Sequence, residues 1–192
     1  RFGDDAHSVV SLLDHYLHSN AHVGSAKRLV LCVDSCSGQL RSPQLLAYLR
    51  ARIGFGLHDE VCWRLLPSDH VSLAVSRGFG LVRHAEKQTT LYTLPAWVQL
   101  INAIGSSRAA GRQYCCSAEE VSDDVFRDWS ALERRFARLA RLDDHDLAEV
   151  RLSASPAARS SDCIPVTLHY RAVGAATLTH DASLLDTVNA NA

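Results

Sequence analysis

The chain has 192 residues, of which 47% are hydrophobic and 21% are charged, and its formal net charge is −1. This length suits one medium-sized domain, and the composition is that of a folded protein rather than a disordered segment. A net charge near zero provides no global attraction to nucleic acid, so any such contact has to come from local basic patches. No apolar run approaches the ~20 residues that a membrane-spanning helix needs.

The chain starts at Arg1 and contains no methionine. We therefore expect a piece of a longer protein, truncated at its N-terminus, whose partners include the other domains of that protein.

The six cysteines of the chain form no C-x-x-C pair. Cys32 and Cys62 lie inside apolar runs, where a free cysteine behaves as a small hydrophobic residue. This usage favours a reducing, intracellular compartment over a disulfide framework.

Helical and strand patterns alternate in the first third of the chain. Ser42 is a good N-cap residue, Pro43 suits the first helical position, and Gly54 suits the end of the same helix. The predicted elements are a helix at Ser8–His18, a strand at Arg28–Val33, a helix at Gln44–Ile53 and a strand at Val61–Leu66. Strands that alternate with helices are typical of parallel βαβ units, so the sequence predicts an α/β fold.

The remaining pattern is less regular. Gly78 and Gly80 interrupt the segment between residues 69 and 87, for which no single element is predicted. Beyond it, the predictions are a short strand at Leu91–Tyr92, a helix at Pro95–Ile104, a strand at Gln113–Cys116, the longest helix from Ser122 to Leu139, and strands at Val150–Ser153, Ile164–Tyr170 and Ala176–Thr179. Residues 181–192 are expected to form a disordered tail.

Asp34 directly follows the first apolar strand and precedes a turn rich in serine and glycine. Open α/β sheets bind ligands at the carboxyl ends of their strands, so Asp34 is a candidate site residue. The alternative is that Asp34 only caps backbone amides in the turn. Asp69 and His70 follow the second strand. If the two strands are parallel, we expect Asp34, Asp69 and His70 to share a pocket.

Three histidines, His15, His18 and His22, follow one another with the spacing H-x-x-H-x-x-x-H. On a continuous helix this spacing would suit a zinc site. The alternative, which we favour, is that they lie near the C-terminus of a helix, where positive charge is favourable.

Four short motifs carry a resemblance to a known family. They are D-S-C-S-G-Q at Asp34–Gln39, G-L-H at Gly56–His58, D-H at Asp69–His70 and F-G at Phe79–Gly80. In this order and spacing they resemble an uncharacterised, transposon-associated eukaryotic domain that is similar to DDE-type transposases of the ribonuclease-H-like superfamily. The resemblance implies a mixed sheet flanked by helices, with the core in residues 1–110. Residues 111–180 would add a helix and a β-hairpin to the same domain, as a small C-terminal β appendage.

The resemblance also implies a chemistry, in which clustered carboxylates hold two Mg²⁺ or Mn²⁺ ions for phosphodiester cleavage or strand transfer. Asp34 matches a metal-binding carboxylate of the family, and His70 matches the histidine of its G-H-T motif. Ser76 stands where the family has an aspartate. Because a hydroxyl group cannot supply the negative charge that offsets a divalent cation, we expect an incomplete active site.

We therefore expect a transposase-derived domain in the nucleus, with a degenerate active site and with DNA as a partner. Arg134, Arg135 and Arg138 form a basic row that would contact phosphates, although such a row is more often a solvated helix face. One alternative is an active metal-dependent nuclease or strand transferase whose missing carboxylate lies upstream or is Asp69 or Glu86. Another is a protein-interaction scaffold without catalysis.

Overall fold

A mixed β-sheet with helices packed against it forms the core of the structure. The structure is a computed structural model that describes residues 5–34, 42–66, 73–106, 108–109, 112–113, 116–136, 147–154, 166–172 and 179–181. Its α-helices are α1 (Ala6–Ser19), α2 (Ala21–Gly24), α3 (Pro43–Gly54), α4 (Leu73–Glu86), α5 (Leu94–Ser106) and α6 (Ser130–Phe136), with a 3-10 helix at Asp123–Val125. Its strands are β1 (Arg28–Asp34), β2 (Glu60–Leu66), β3 (Arg108–Ala109), β4 (Arg112–Gln113), β5 (Leu147–Ala154), β6 (Val166–Ala172) and β7 (Thr179–Asp181).

The main sheet has five strands in the order β1-β2-β5-β6-β7. β1 and β2 are parallel, and the remaining neighbours are antiparallel. The predicted α/β class and the predicted parallel pair are therefore confirmed. The C-terminal strands pair directly with β2 through β5, so they extend the main sheet, and the expectation of a small β appendage was wrong. Residues 182–192, most of the predicted tail, lie outside the described residues.

The chain divides into two compact units. The first combines Arg1–Ser68 with Asp124–Ala192, and the second is Asp69–Asp123. The main sheet belongs to the first unit, together with α1, α2, α3 and α6. The second unit contains α4, α5 and the short β3–β4 pair. The sequence-based division into a core of residues 1–110 and an extension of the same domain over residues 111–180 stays a prediction.

Helix α3 begins as its sequence predicts, but Gly56 rather than Gly54 closes it. The Ser42 side chain accepts a hydrogen bond of 3.2 Å from the amide of Leu45, and Pro43 occupies the first helical position. At the other end Gly56 adopts a positive φ of 72°. This left-handed residue lets the amide of Leu57 return 2.9 Å to the carbonyl of Arg52, which closes the helix.

The hydrophobic core lies between the main sheet and its helices. Side chains from α3 and from the two central strands are fully buried there, with 0% exposure for Leu49, Ile53, Val61 and Val150. Burying an aliphatic side chain of this size contributes about 1.5–3 kcal/mol to folding. The alternate residues of β1 and β2 point to the opposite face of the sheet. That face carries polar and charged residues, among them Arg28, Cys32, Glu60 and Arg64.

Two of the elements after β2 differ from the sequence-based expectation. Gly78 and Gly80 do not interrupt the segment, because α4 runs through both positions. Helix propensity acts over the whole segment. Each glycine costs about 1 kcal/mol, and the favourable propensities of the other residues of α4 outweigh this cost. Leu91 and Tyr92 lie in an irregular connection between α4 and α5 rather than in a strand.

The helix predicted from Ser122 begins only at Ser130. Two backbone amides before that point, and the amide of Ser130 itself, donate to side chains instead of extending a helical ladder. The amide of Arg127 donates to Ser11 Oγ at 3.0 Å. The amide of Trp129 donates to His7 Nδ1 at 3.0 Å, and the amide of Ser130 donates to Asp128 Oδ1 at 2.8 Å. These bonds hold residues 126–129 in an irregular conformation that anchors the segment to α1.

Candidate functional site

The predicted strand-end site starts where β1 and β2 finish. Asp34 is the last residue of β1 and pairs in register with Leu66, the last residue of β2. The described parts of the two strands therefore end at adjacent points of the sheet edge, at the end where open α/β sheets bind ligands. Asp69 and His70 lie outside the described residues, so the predicted contact between His70 and Asp34 stays a prediction.

The other predicted site residues are spread over both units. Glu86 is exposed and ends α4, in the second unit. Arg134 is exposed on α6, in the first unit. The side chain of Arg135 and the whole of Arg138 lie outside the described residues, so the basic row is described only at Arg134.

A metal site was tested against the side chains whose positions are described. Among them, no group of three or more His, Cys, Asp or Glu residues could hold a metal ion. His15, His18 and His22 thus do not form the zinc site that their spacing permitted. Instead His18 Nδ1 lies 3.3 Å from the carboxylate of Asp14, one turn earlier on α1. The described side chains also supply no complete ligand set for Mg²⁺ or Mn²⁺.

The described residues do bring together a buried polar cluster, which we call the Arg52 cluster. It consists of Asp14 on α1, Tyr48 and Arg52 on α3, and His58 in the connection to β2. Tyr48 and Arg52 are four residues apart, so they lie on one face of α3. Arg52 is only 5% exposed, which makes it an unusual position for a charged side chain.

Each nitrogen of the Arg52 guanidinium has a partner. Nε donates to His58 Nε2 at 3.0 Å, and one terminal nitrogen donates to the Tyr48 hydroxyl at 3.0 Å. The other terminal nitrogen donates to the carbonyl of Gly24 at 3.0 Å. The carboxylate of Asp14 lies 3.8 Å away and balances the charge. Arg52 therefore links α3 to α1 and to the turn that precedes β1.

The buried surroundings change the pKa values in this cluster. Burial raises the pKa of Tyr48 well above 10, and the hydrogen bond to Asp14 adds to the effect. Burial also lowers the pKa of His58, and the charge of Arg52 lowers it further, against the opposing effect of the Ala26 carbonyl. Tyr48 and His58 are thus both held neutral near pH 7, which suits a structural role.

A small pocket opens beside Asp14. It is lined by Ser11, Asp14, His15, His18, Val125 and Arg127. Its volume of about 110 Å³ accommodates a few water molecules but no metabolite of ordinary size. Arg127 lies 4.0 Å from the Asp14 carboxylate at this pocket, so the charge of Asp14 is shared between buried and exposed cations.

A second polar cluster, the Glu149 cluster, lies on the main sheet where β2 and β5 pair. Glu149 is buried and accepts a hydrogen bond of 2.9 Å from Arg151, while Arg64 Nε lies 3.5 Å from its other oxygen. The Cys62 thiol donates to Glu149 at 3.3 Å. Burial raises the pKa of this thiol, and Glu149 raises it further. Cys62 is therefore a poor nucleophile, since the thiolate is the reactive form.

Sequence reasoning predicted neither cluster. The G-L-H motif drew attention to His58, but only as part of a family resemblance. A usable signal was the presence of Tyr48 and Arg52 among the leucines of a buried helix, because a buried arginine needs several fixed partners. Glu149 had no comparable signal, since alternating charged residues in a strand normally face solvent.

None of the described helices is both long enough and apolar enough to cross a membrane. The chain was compared with protein-family models, with curated proteins and with solved structures. None of the three comparisons finds a match.

Proposed function

We propose that this chain is a transposase-derived domain of the ribonuclease-H-like type, with a degenerate active site, that binds DNA without cutting it. The observation that carries the proposal is the register pair of Asp34 with Leu66 at the ends of two parallel strands. It supports the expectation that the D-S-C-S-G-Q motif and the D-H motif leave the sheet side by side. A nuclear location belongs to the same proposal, because chromosomal DNA is its expected ligand.

The loss of catalysis is argued from charge. Two-metal cleavage needs several carboxylates, because each divalent ion brings two positive charges close to the other. Of the positions that match the family, Asp34 keeps a carboxylate and Ser76 has lost one. A single carboxylate leaves the charge of two ions largely uncompensated, so we expect the domain to bind metal weakly and to be inactive.

DNA binding is argued from the C-terminal part of the first unit. Arg134 is exposed on α6, and Arg135 and Arg138 follow it in the sequence. The net charge of −1 gives no general attraction, so this local row would have to carry the phosphate contacts. Arginines at helical spacing are suited to that task where they are exposed, as Arg134 is.

A cleavage assay tests the catalytic half of the proposal. The full-length protein is incubated with duplex DNA and Mn²⁺, as wild type and as Asp34→Ala, Asp69→Ala and Glu86→Ala variants. We expect no cleavage above the metal-only background for any of them. Cleavage by the wild type that Asp34→Ala abolishes would establish an active nuclease instead, and a parallel loss in Asp69→Ala or Glu86→Ala would identify the compensating carboxylate.

A binding titration tests the DNA half. Fluorescence anisotropy with a labelled duplex is recorded between 50 and 200 mM salt. We expect binding that weakens as the salt concentration rises. A triple change of Arg134, Arg135 and Arg138 to glutamine should reduce the slope of the logarithm of the binding constant against the logarithm of the salt concentration by about 3. Arg83→Gln, at an exposed position on α4, is the matched control. If the wild type does not bind DNA at 50 mM salt, the domain is a scaffold.

A further inference from the structure

Both ring nitrogens of His58 are engaged inside the protein. The ring is 2% exposed, with Nδ1 2.6 Å from the carbonyl of Ala26 and Nε2 3.0 Å from Nε of Arg52. A carbonyl only accepts hydrogen bonds, and a guanidinium only donates them. Nδ1 must therefore carry the proton, and Nε2 must present its lone pair. This arrangement selects one tautomer of the neutral ring.

A second proton on His58 cannot be accommodated in this geometry. It would have to sit on Nε2, where it removes the acceptor for Arg52 and points at the Nε–H group. The imidazolium would then lie against a guanidinium in a site from which water is excluded. Since arginine does not lose its proton in proteins, the histidine has to move or stay neutral.

The surrounding charges do not relieve this conflict. Arg52 of α3 is the charged group that contacts the ring, while the turn before β1 offers the neutral carbonyl of Ala26. Asp14 of α1 lies against Arg52 and Tyr48. On the side of β2, Glu60 is paired with Arg28 at 2.9 Å. Among the described residues, the hydrogen-bond partners of the His58 ring are Arg52 and Ala26, and no carboxylate is one of them.

The bonds that depend on neutral His58 connect two elements. Through His58 and Arg52, the C-terminal end of α3 is tied to the carbonyls of Ala26 and Gly24, directly before β1. The same junction is closed by the amide of Asp59, which donates to the carbonyl of Lys27 at 2.7 Å. Losing the His58 bonds would leave the junction with the Arg52–Gly24 bond, with the amides of Asp59 and Glu60 on the Lys27 carbonyl, and with the strand pairing that starts at Arg28. None of these bonds holds the carbonyl of Ala26.

We propose that His58 is a pH-sensitive lock, which holds the end of α3 to the turn before β1 while its ring is neutral and releases the turn when the ring is protonated. The lock works at the amino-terminal ends of β1 and β2, opposite to the strand ends of the proposed DNA-related site. It is therefore independent of that function. Acidification would loosen the start of β1 locally before the core of the first unit unfolds.

Hydrogen–deuterium exchange on the whole chain tests the lock. Uptake is followed at pH 7.5 and pH 5.0 in peptides that cover residues 24–34 and 52–60, after correction for the intrinsic rate. In the wild type we expect faster exchange at pH 5.0. Uptake of one proton changes an equilibrium by at most about tenfold for each pH unit below 6.5, the ordinary pKa of histidine, and this sets the upper limit of the acceleration. A peptide from α5 in the second unit serves as the internal reference and should not respond.

Two substitutions remove the titrating ring by different routes. His58→Asn keeps a donor near the Nδ1 position, and His58→Gln places a carbonyl oxygen near the Nε2 position. Each variant is expected to exchange somewhat faster at pH 7.5 but to lose the extra acceleration at pH 5.0. His18→Gln removes the histidine that pairs with Asp14 and should keep the wild-type response. An undiminished acid response in both His58 variants, or its loss in His18→Gln, would overturn the proposal.

Discussion

The Tyr48 hydroxyl donates a hydrogen bond of 2.8 Å to the Asp14 carboxylate and thereby joins α3 to α1. The same hydroxyl accepts a hydrogen bond of 3.0 Å from Arg52. The Tyr48 hydroxyl thus bonds both to the Asp14 carboxylate on α1 and to the Arg52 guanidinium on α3. In a buried site such shared partners are strongly coupled, because no water replaces a group that is removed. The Arg52 cluster is therefore expected to respond to single changes more strongly than its exposed neighbours.

Tyr48→Phe removes only the hydroxyl and keeps the ring that meets Trp129 edge-on at 5.3 Å. It removes the hydrogen-bond acceptor of one N–H group of Arg52 and the shortest hydrogen bond to one oxygen of Asp14. We expect the free energy of unfolding to fall by about 2 kcal/mol, as is typical for an unsatisfied buried polar group. The measurement is urea unfolding followed by tryptophan fluorescence. Tyr16→Phe is the control on α1, because Tyr16 is 53% exposed, and it should change stability by less than about 0.5 kcal/mol.

Two glycines should respond to alanine in opposite directions. Gly56 has a φ of 72°, a conformation that costs a residue with a β-carbon roughly 1–2 kcal/mol, so Gly56→Ala should destabilise the first unit. Gly80 lies inside α4, where an added β-carbon would meet nothing within 4 Å. Gly80→Ala should therefore stabilise α4 by up to about 1 kcal/mol. Thermal unfolding monitored by circular dichroism distinguishes the two, and equal effects would contradict the assigned roles.

The Glu149 cluster predicts a specific acid sensitivity. Burial alone would raise the pKa of Glu149, but hydrogen bonds from Arg151 and Cys62 and the charge of Arg64 together hold it below its ordinary value of 4.5. The unfolded state then binds the proton more readily than the folded state. The stability that this carboxylate contributes is therefore present above pH 4.5 and is lost as the pH falls through the folded pKa.

Glu149→Gln is the change that tests this sensitivity. The variant should be less stable than the wild type at pH 7, and the difference in unfolding free energy should shrink below pH 4.5. Urea unfolding at a series of pH values between 7 and 3 gives both curves. Glu86→Gln, at an exposed position of α4, should follow the wild type throughout. A difference for Glu149→Gln that stays constant with pH would show that the effect is one of packing.

The accuracy of the sequence-based predictions depended on how local the determining interactions are. The start of α3 was predictable because Ser42 accepts a hydrogen bond from an amide only three residues away. The closing glycine was predicted as Gly54, but Gly54 is helical and Gly56 closes the helix. The parallel pair followed from the alternation of strand and helix. The pairing of β5 with β2 was not predictable, because it depends on which strand edge remains free after folding. The Arg52 cluster was missed because Asp14 and Tyr48 are 34 residues apart in the sequence.

The late start of α6 has a cause that can be tested. Val125, Phe126 and Trp129 have helical spacing, but Ser11 on α1 accepts hydrogen bonds from the Arg127 amide at 3.0 Å and from the Trp129 indole at 2.9 Å. Both bonds reach across more than a hundred residues, so no local pattern reveals them. The side chain of Ser11 thus takes the Arg127 amide, which could otherwise join a helical ladder, and it also fixes the indole of Trp129.

Ser11→Ala should leave two partly buried donors without their acceptor. We expect a loss of about 1–2 kcal/mol in unfolding free energy, because a hydrogen bond contributes about 0.5–1.5 kcal/mol and the donors are not fully shielded from water. The indole N–H signal of Trp129 in a ¹H–¹⁵N spectrum, identified by its absence in Trp129→Phe, should shift in Ser11→Ala. Ser25→Ala, which affects an exposed serine after α2, is the control and should leave that signal unchanged. An unshifted Trp129 signal in Ser11→Ala would mean that packing alone delays the helix.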